Sequence, residues 1–383
     1  MKINANLIAC SMKKNVSLKD IANQVGVSVS LVSYVLNGHE KKMRVGEEIA
    51  RQIKATAERL HYQPNQIAKS LKSKKSQTIG LIVGEIHYRF TTGIVRAIEL
   101  EAKKNGYTVV IGNSHEDLGS LRELIHVLIN RQVDGLIIVA AENAESEIEY
   151  LKKKEVPFVL IDRNFPSVES NFIGIDNYRI AYRAVEYLIL QGCRRIAFVN
   201  YDTTFFHLKE RSRGYLQALK DHGLAGDGGS SEPGDGERGD QGGQAGQAIQ
   251  AGTGWLREIR KPFYEQDVAA AVRELTSPGV GCDGIFFATD TLAITGLKNL
   301  ISLRVNIPED VAFMSFDEAE AFALFQVPVT HYRQPLEEIG VSAVEMLLEE
   351  IQEGKEDNRD VKPKKWRQLY LDSTLVVGKS CRE

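Results

Sequence analysis

The stretch DIANQVGVSVSLVSYVLNG, Asp20 to Gly38, sets two apolar runs of helical spacing on either side of a Gly-Val-Ser step. Just upstream, Ser17-Leu-Lys-Asp20 has the form of a capping box, with a hydroxyl to accept an early backbone N–H and an acid that suits a helix N-terminus. Leu18, Ile21, Ala22 and Val25 then share one face of a first helix. Gly26 ends it and Ser28 caps a second, in which Val32, Val35 and Leu36 face inward until Asn37-Gly38 stops the run. Helices of about two turns are not stable alone. GEEIARQIKATAERLHY, Gly46 to Tyr62, supplies a third, with Ile49, Ile53, Ala57 and Leu60 at helical spacing to close a small core.

Two helices joined by a short glycine-containing turn, with a third to pack on, describe a helix-turn-helix module whose second helix enters the DNA major groove. A generic helical hairpin has the same spacing. Charge favours DNA: residues 13–76 hold 13 Lys/Arg against 5 Asp/Glu, a local +8 in a chain of net charge −3. With Lys2 counted, residues 77–383 carry −12, so a small basic head precedes a large acidic body.

The rest of the composition narrows the class. At 383 residues, 43% hydrophobic and 26% charged, the chain reads as a soluble globular protein of more than one domain. Cys10, Cys193, Cys282 and Cys381 form no CxxC pair, which argues against a zinc site or a disulfide framework and for a reducing cytoplasm. NLIAC, Asn6 to Cys10, has too short an apolar run for a signal peptide, and no run is long enough to span a membrane.

VSLKDIANQVGVSVSLVSYVLNG, Val16 to Gly38, followed by ERLHYQPNQIAKSLKSKKSQTIGLIV, Glu58 to Val83, resembles the amino-terminal signature of the lactose-repressor (LacI/GalR) family of bacterial transcription regulators. The likeness is dense over Val16 to Val83 and continues more loosely to about Val377. Within it, Gln63 to Gln77 reads as a short basic helix opened by Pro64, with only Ile67, Ala68 and Leu71 apolar. Without the family, this is a flexible linker with one stray leucine. The resemblance makes it a hinge helix that folds against its dimer mate in the minor groove, with Leu71 as the wedge and Lys72 beside it. The expected DNA-binding positions are Ser28, Val29, Ser30, Ser33, Tyr34, Asn37, Ala68, Leu71 and Lys72. Tyr34 and Leu31 replace an arginine and a threonine common in the family, so no relative's operator transfers to this chain.

From Thr78 onward, strand-like runs alternate with helical ones. TIGLIV, YTVVIG, DGLIIVA, PFVLID, NFIGID, RRIAFV, GIFFATD and VAFMSF are the strands, which implies parallel, doubly wound sheets covered by helices. Some 300 residues of this pattern suggest two lobes, with a ligand cleft beyond the carboxyl ends of the strands. The resemblance implies a periplasmic-binding-protein-like body crossed three times by the chain. Four aspartates, Asp162, Asp176, Asp290 and Asp317, sit at strand ends. Each alone reads as a helix cap; four around one cleft favour a polar ligand. The family's effector positions fall on Asp176, Arg211, Asp290 and Gln334, and also on Arg163 and Phe263. GEIHYRF, Gly84 to Phe90, replaces a common Asn-Pro-aromatic segment and offers His87 and Phe90 as a stacking wall.

The expected domains are an extra segment 1–12, a helix-turn-helix head 13–63, a hinge 64–77 and an effector-binding and dimerisation body 78–383. In that body, lobe 1 covers about 78–191 and 336–362, and lobe 2 about 192–333 and 363–377. Residues 225–254, about one third glycine, read as a disordered surface loop, and the GxGxxG at Gly234 to Gly239 lacks the strand and helix a nucleotide fingerprint requires. The function implied is a cytoplasmic, nucleoid-associated, homodimeric repressor that binds double-stranded operator DNA under the control of a small effector such as a sugar. No cofactor, metal, catalytic site or membrane contact is expected, since no P-loop, nucleophile elbow or HExxH occurs. The competing readings are a solute-binding protein, which has no use for the basic head, and a sugar-processing enzyme on a doubly wound body.

Overall fold

The computed structural model describes residues 16–62, 75–224, 248–251, 254–353 and 365–382. Backbone contacts divide the chain into two units, Met1–Ser76 and Gln77–Glu383.

The first unit contains the three short helices α1 (Leu18–Val25), α2 (Val29–Leu36) and α3 (Glu47–Arg59). Ser17 caps α1 reciprocally: its hydroxyl accepts from Asp20 N, and its own N–H donates to the Asp20 carboxylate at 2.8 Å. Gly26 ends α1 at φ +76°, the left-handed conformation that lets the chain turn at once into α2. Ile21, Val32 and Ile53 are wholly buried, one from each helix, and Leu18, Val25, Leu36, Ile49 and Leu60 close around them. Burying an aliphatic side chain of this size contributes roughly 1.5–3 kcal/mol, and three helices too short to stand alone share that gain.

The second unit is built on two sheets. The first has the order β12-β5-β4-β3-β1-β2, with β1 Thr78–Val83, β2 Thr108–Asn113, β3 Gly135–Ile138, β4 Phe158–Ile161, β5 Phe172–Ile175 and β12 Gln368–Leu371. Every pairing in it is parallel. The second has the order β13-β11-β10-β9-β6-β8-β7, with β6 Ile196–Tyr201, β7 Ala248–Ala251, β8 Gly254–Ile259, β9 Gly284–Phe287, β10 Ala312–Ser315, β11 Thr330–Arg333 and β13 Thr374–Val376. Its two outermost pairings, β7 with β8 and β11 with β13, are antiparallel. Central strands such as β3, β4, β9 and β10 are buried at all four positions, which is why they read as unbroken apolar runs. Each sheet reverses its winding once, between β1 and β3 and between β6 and β9. Ligands in open parallel sheets gather at such reversals, outside the carboxyl ends of the strands.

Three boundaries differ from the sequence expectation. The first lobe ends near Asp176 rather than 191, because the helix Asn177–Leu190 buries Ile180, Ala184, Val185 and Leu188 while lying along the helix Phe206–Asp221. Residues 363–377 do not all belong to the second lobe. Gln368–Leu371 pairs residue for residue with Phe172–Ile175, and Phe172 N donates to Arg367 O at 2.9 Å, so β12 covers an otherwise open edge of β5. The chain crosses only afterwards, to β13. The span 225–254, expected as a disordered loop throughout, ends in strand: β7 and β8 form an antiparallel pair at the sheet edge, held by backbone bonds that need no apolar face. Residues 1–15, 63–74 and 225–247 lie outside the described set.

Candidate functional site

In the first unit, α2 carries the candidate DNA-reading positions. Ser28 Oγ accepts from Leu31 N at 3.2 Å, so this side chain is a helix cap. Val29 and Ser30 follow it on the open side, and Val29 is 43% exposed, an apolar side chain left uncovered at the start of the helix. Ser33 and Tyr34 are half-buried. The exposed Asn37 donates through Nδ2 to Ser33 O at 2.7 Å, which seals the end of α2. Lys41, Lys42 and Arg44 follow, all exposed. A short helix with serine hydroxyls along it, one exposed valine and basic residues beyond its end can meet base edges, a thymine methyl and phosphates. Ala68, Leu71 and Lys72 lie outside the described residues.

In the second unit, a cleft of about 890 Å³ opens where the strands of both sheets end. The loop after β1 contributes His87, the first turn of the helix Arg89–Lys104 that follows it Phe90, and the loop after β2 Glu116. Asp162 and Arg163 follow β4, and Lys261 follows β8. Asp290 follows β9, Asp317 follows β10 and Gln334 follows β11. The strand-end rule therefore accounts for most of the lining.

Arg211 anchors one part. Its side chain, 3% exposed, reaches from the helix Phe206–Asp221 and donates to Asn177 Oδ1 at 2.8 Å, to Ala288 O, and to Asp317 Oδ2 at 3.3 Å. The guanidinium also lies 3.4 Å from the centre of the Phe316 ring. Gln334 Nε2 donates to the other Asp317 oxygen at 2.6 Å. Asp290 accepts from Thr291 N at 2.7 Å, and burial, with Asp317 adding to it, pushes its carboxyl up to about 6. These groups present acceptors and fixed donors together at the cleft.

Arg163 anchors another. It forks onto Glu116, with NH2 to Oε1 at 2.8 Å, donates to Ala140 O at 3.0 Å, and stands 3.4 Å from Asp162 Oδ2. Burial works to raise the Glu116 carboxyl, but the charge and hydrogen bonds of Arg163 outweigh it and hold Glu116 below its usual range. Asp162 adopts φ +66°, a left-handed conformation that aspartate tolerates better than most residues. Its carboxyl is raised, by burial first and in spite of Arg163 and Arg211.

Of the expected effector positions, His87, Phe90, Arg163, Arg211, Asp290 and Gln334 line the cleft, and Asp176 and Phe263 do not. Asp176 is exposed and caps the helix Asn177–Leu190, accepting from Arg179 N at 2.9 Å. Phe263 is 49% exposed, with Arg260 5.0 Å from its ring centre. Sequence reasoning passed over Glu116, Phe205, His207 and Lys261, which do line it. Lys261 was recoverable as a strand-end residue once GWLREI was taken as a strand; His207, inside a helix, carried no local signal.

Among known proteins, residues 17–65 match the family described as bacterial regulatory proteins, lacI family. Residues 76–228 match periplasmic binding proteins and sugar binding domain of LacI family, and residues 185–381 match periplasmic binding protein-like domain. Catabolite control protein A of Priestia megaterium is 29% identical over 335 residues, 87% of this chain and 92% of that protein. The HTH-type transcriptional repressor PurR of Pectobacterium carotovorum is 28% identical over 345 residues, 89% of this chain and 92% of that one. Among solved structures, a Lac repressor dimer bound to operator and the anti-inducer ONPF superposes with a TM-score of 0.78 at 21% identity, covering 97% of this chain and all 100% of that one. The transcriptional regulator CelR in complex with cellobiose gives 0.64 at 23% identity, covering 96% and 100%. At these identities the two structures speak for a shared fold.

Proposed function

Because the chain belongs to the lactose-repressor (LacI/GalR) family of bacterial transcriptional regulators, we propose that it is a homodimeric repressor whose operator affinity is set by a small polar effector, such as a sugar, held between the two lobes. The observation that carries the effector reading is the convergence of Arg211, Asp290, Asp317 and Gln334 on one cleft at the strand ends of both sheets. Paired carboxylates, an amide and a guanidinium fixed by its own hydrogen bonds suit a ligand rich in hydroxyls. The CelR complex with cellobiose agrees with that class. The relatives above are regulators, which favours ligand sensing over catalysis in the cleft. No described helix is long and apolar enough to cross a membrane; the proposed place of action is DNA at the nucleoid.

In this reading, Ser28, Val29, Ser30, Ser33, Tyr34 and Asn37 address the major groove, and Ala68, Leu71 and Lys72 of the hinge the minor groove. Effector binding favours one arrangement of the lobes in each protomer, and the hinge helices of the pair form or separate accordingly. Footprinting on the DNA upstream of the chain's own gene is expected to give a protected palindrome at physiological salt; its absence would sink the proposal. Leu71→Ala is expected to weaken operator binding about tenfold or more, from the loss of an unstacking wedge, with effector binding intact. Equal operator affinity in the variant would remove the hinge from the reading.

A further inference from the structure

Around Asp290 and Asp317 the cleft offers acceptors; around Phe205 it offers positive charge. The Arg163 guanidinium lies 4.3 Å from the centre of the Phe205 ring and Lys261 Nζ lies 4.4 Å from it. The His207 ring centre is 5.3 Å from the same ring. Arg163 is paired with Glu116 through both terminal guanidinium nitrogens, and its Nε, without a hydrogen bond, stands 3.4 Å from Asp162 Oδ2. Lys261 is not paired: among the described residues its ammonium has no hydrogen bond and no carboxylate within 4.0 Å, only the ring. The two carboxylates whose fields reach it, Glu116 and Glu142, are already committed, one to Arg163 and the other to Thr203 and Thr204. His207 is 7% exposed and lines the cleft, yet its Nδ1 has no partner.

Buried polar groups are almost always hydrogen-bonded, and an ammonium facing a phenyl ring still has N–H donors to place. Burial lowers the Lys261 ammonium, and burial followed by Arg163, Arg211 and Lys261 lowers His207 well below its ordinary range. Burial and the surrounding positive charge thus disfavour the charged form of both groups. A compact anion supplies an acceptor: it takes N–H bonds from Lys261 and one from the neutral His207, and it compensates the positive field that surrounds them.

Building on the effector reading above, we infer that the effector carries a compact anionic group, a carboxylate or a phosphate, which docks against Lys261 and His207 beside Phe205. The hydroxyl-bearing remainder meets Arg211, Asp290 and Asp317. The ligand class is thus a sugar acid or sugar phosphate rather than a neutral sugar.

The test is a matched series titrated calorimetrically into the full chain: glucose, galactose and ribose, each as the neutral sugar, the sugar acid and the sugar phosphate. At least one anionic member is expected to bind about tenfold or more tightly than its neutral parent, the scale of a charge-assisted hydrogen bond. Lys261→Met is expected to abolish that advantage with operator binding unchanged, and Lys261→Arg to retain most of it. Whether the acid or the phosphate binds better identifies the source of the anion. Neutral parents that bind as well as their anionic forms, no binding by any anionic member, or an advantage that survives in Lys261→Met each overturn the inference. Failure of the regulator reading looks different: the chain then protects no operator, whatever the charge of the ligands it binds.

Discussion

Asp290 occupies the cleft at a cost to stability. Burial, with Asp317 adding to it, lifts its carboxyl from 3.8 to about 6, so the charged form is disfavoured in the folded chain. A raised folded pKa contributes stability that is complete below the unfolded value and lost as pH rises through the folded one; for Asp290 that window runs from about 3.8 to about 6. Asp290→Asn keeps an acceptor for Thr291 N and removes the buried charge. The variant is therefore expected to be more stable by on the order of 1–3 kcal/mol at pH 8, with the gain fading towards pH 4, and to lose the effector response. Unfolding in urea across that pH range checks the sign. A stability gain that does not change with pH would mean that Asp290 is not the titrating group. At this scale the site was partly legible. Arg211 and Asp290 sit in recognisable local text, KERSRGY and ATDTLA, whereas Lys261 and Phe263 lie two residues apart and only the fold shows which one faces the cleft.

Among the elements, the central strands announced themselves and, β2 apart, the edge strands did not. A strand buried on both faces must be apolar throughout; all eight apolar runs became strands, seven of them largely buried and the eighth, TVVIGN, the half-exposed β2. THYR, QLYL and TLV are short; QLYL is largely exposed, and QLYL and TLV are each held by backbone bonds to one neighbour, while THYR lies between β10 and β13, and backbone bonding leaves no mark in side-chain pattern. GWLREI was masked by the glycine-rich text before it. Helix contacts were equally illegible. The helices Arg89–Lys104 and Leu336–Glu353 touch at Gly340, where an added methyl would lie 2.4 Å from Ala97 Cβ and 3.2 Å from Ile98 N. Neither neighbour is the end of a flexible side chain, so Gly340→Ala forces the helices apart. It is expected to cost about 1–3 kcal/mol, read as a lower urea midpoint at unchanged slope. An unchanged midpoint would mean that the helix pair separates freely.

For the whole molecule, the three crossings, at Asp176, between Arg333 and Leu336, and between Leu371 and Thr374, join the two lobes around one cleft. If effector occupancy alters operator affinity by a given factor, operator must alter effector affinity by the same factor, within the roughly 5- to 150-fold typical of such coupling. Measuring each affinity with and without the saturating partner checks this equality, and unequal factors would refute a closed two-ligand cycle. Arg211→Ala is expected to remove the coupling by removing effector binding, with operator affinity retained. The three-helix head, the parallel body and the family were readable in the linear text, because helix caps, 3.6-residue periodicity and apolar strand runs are local properties of a chain. The membership of the cleft was not. Glu116 meets Arg163 across 47 residues and Arg211 meets Asp317 across 106, so strand order and lobe crossings decide which charges stand together.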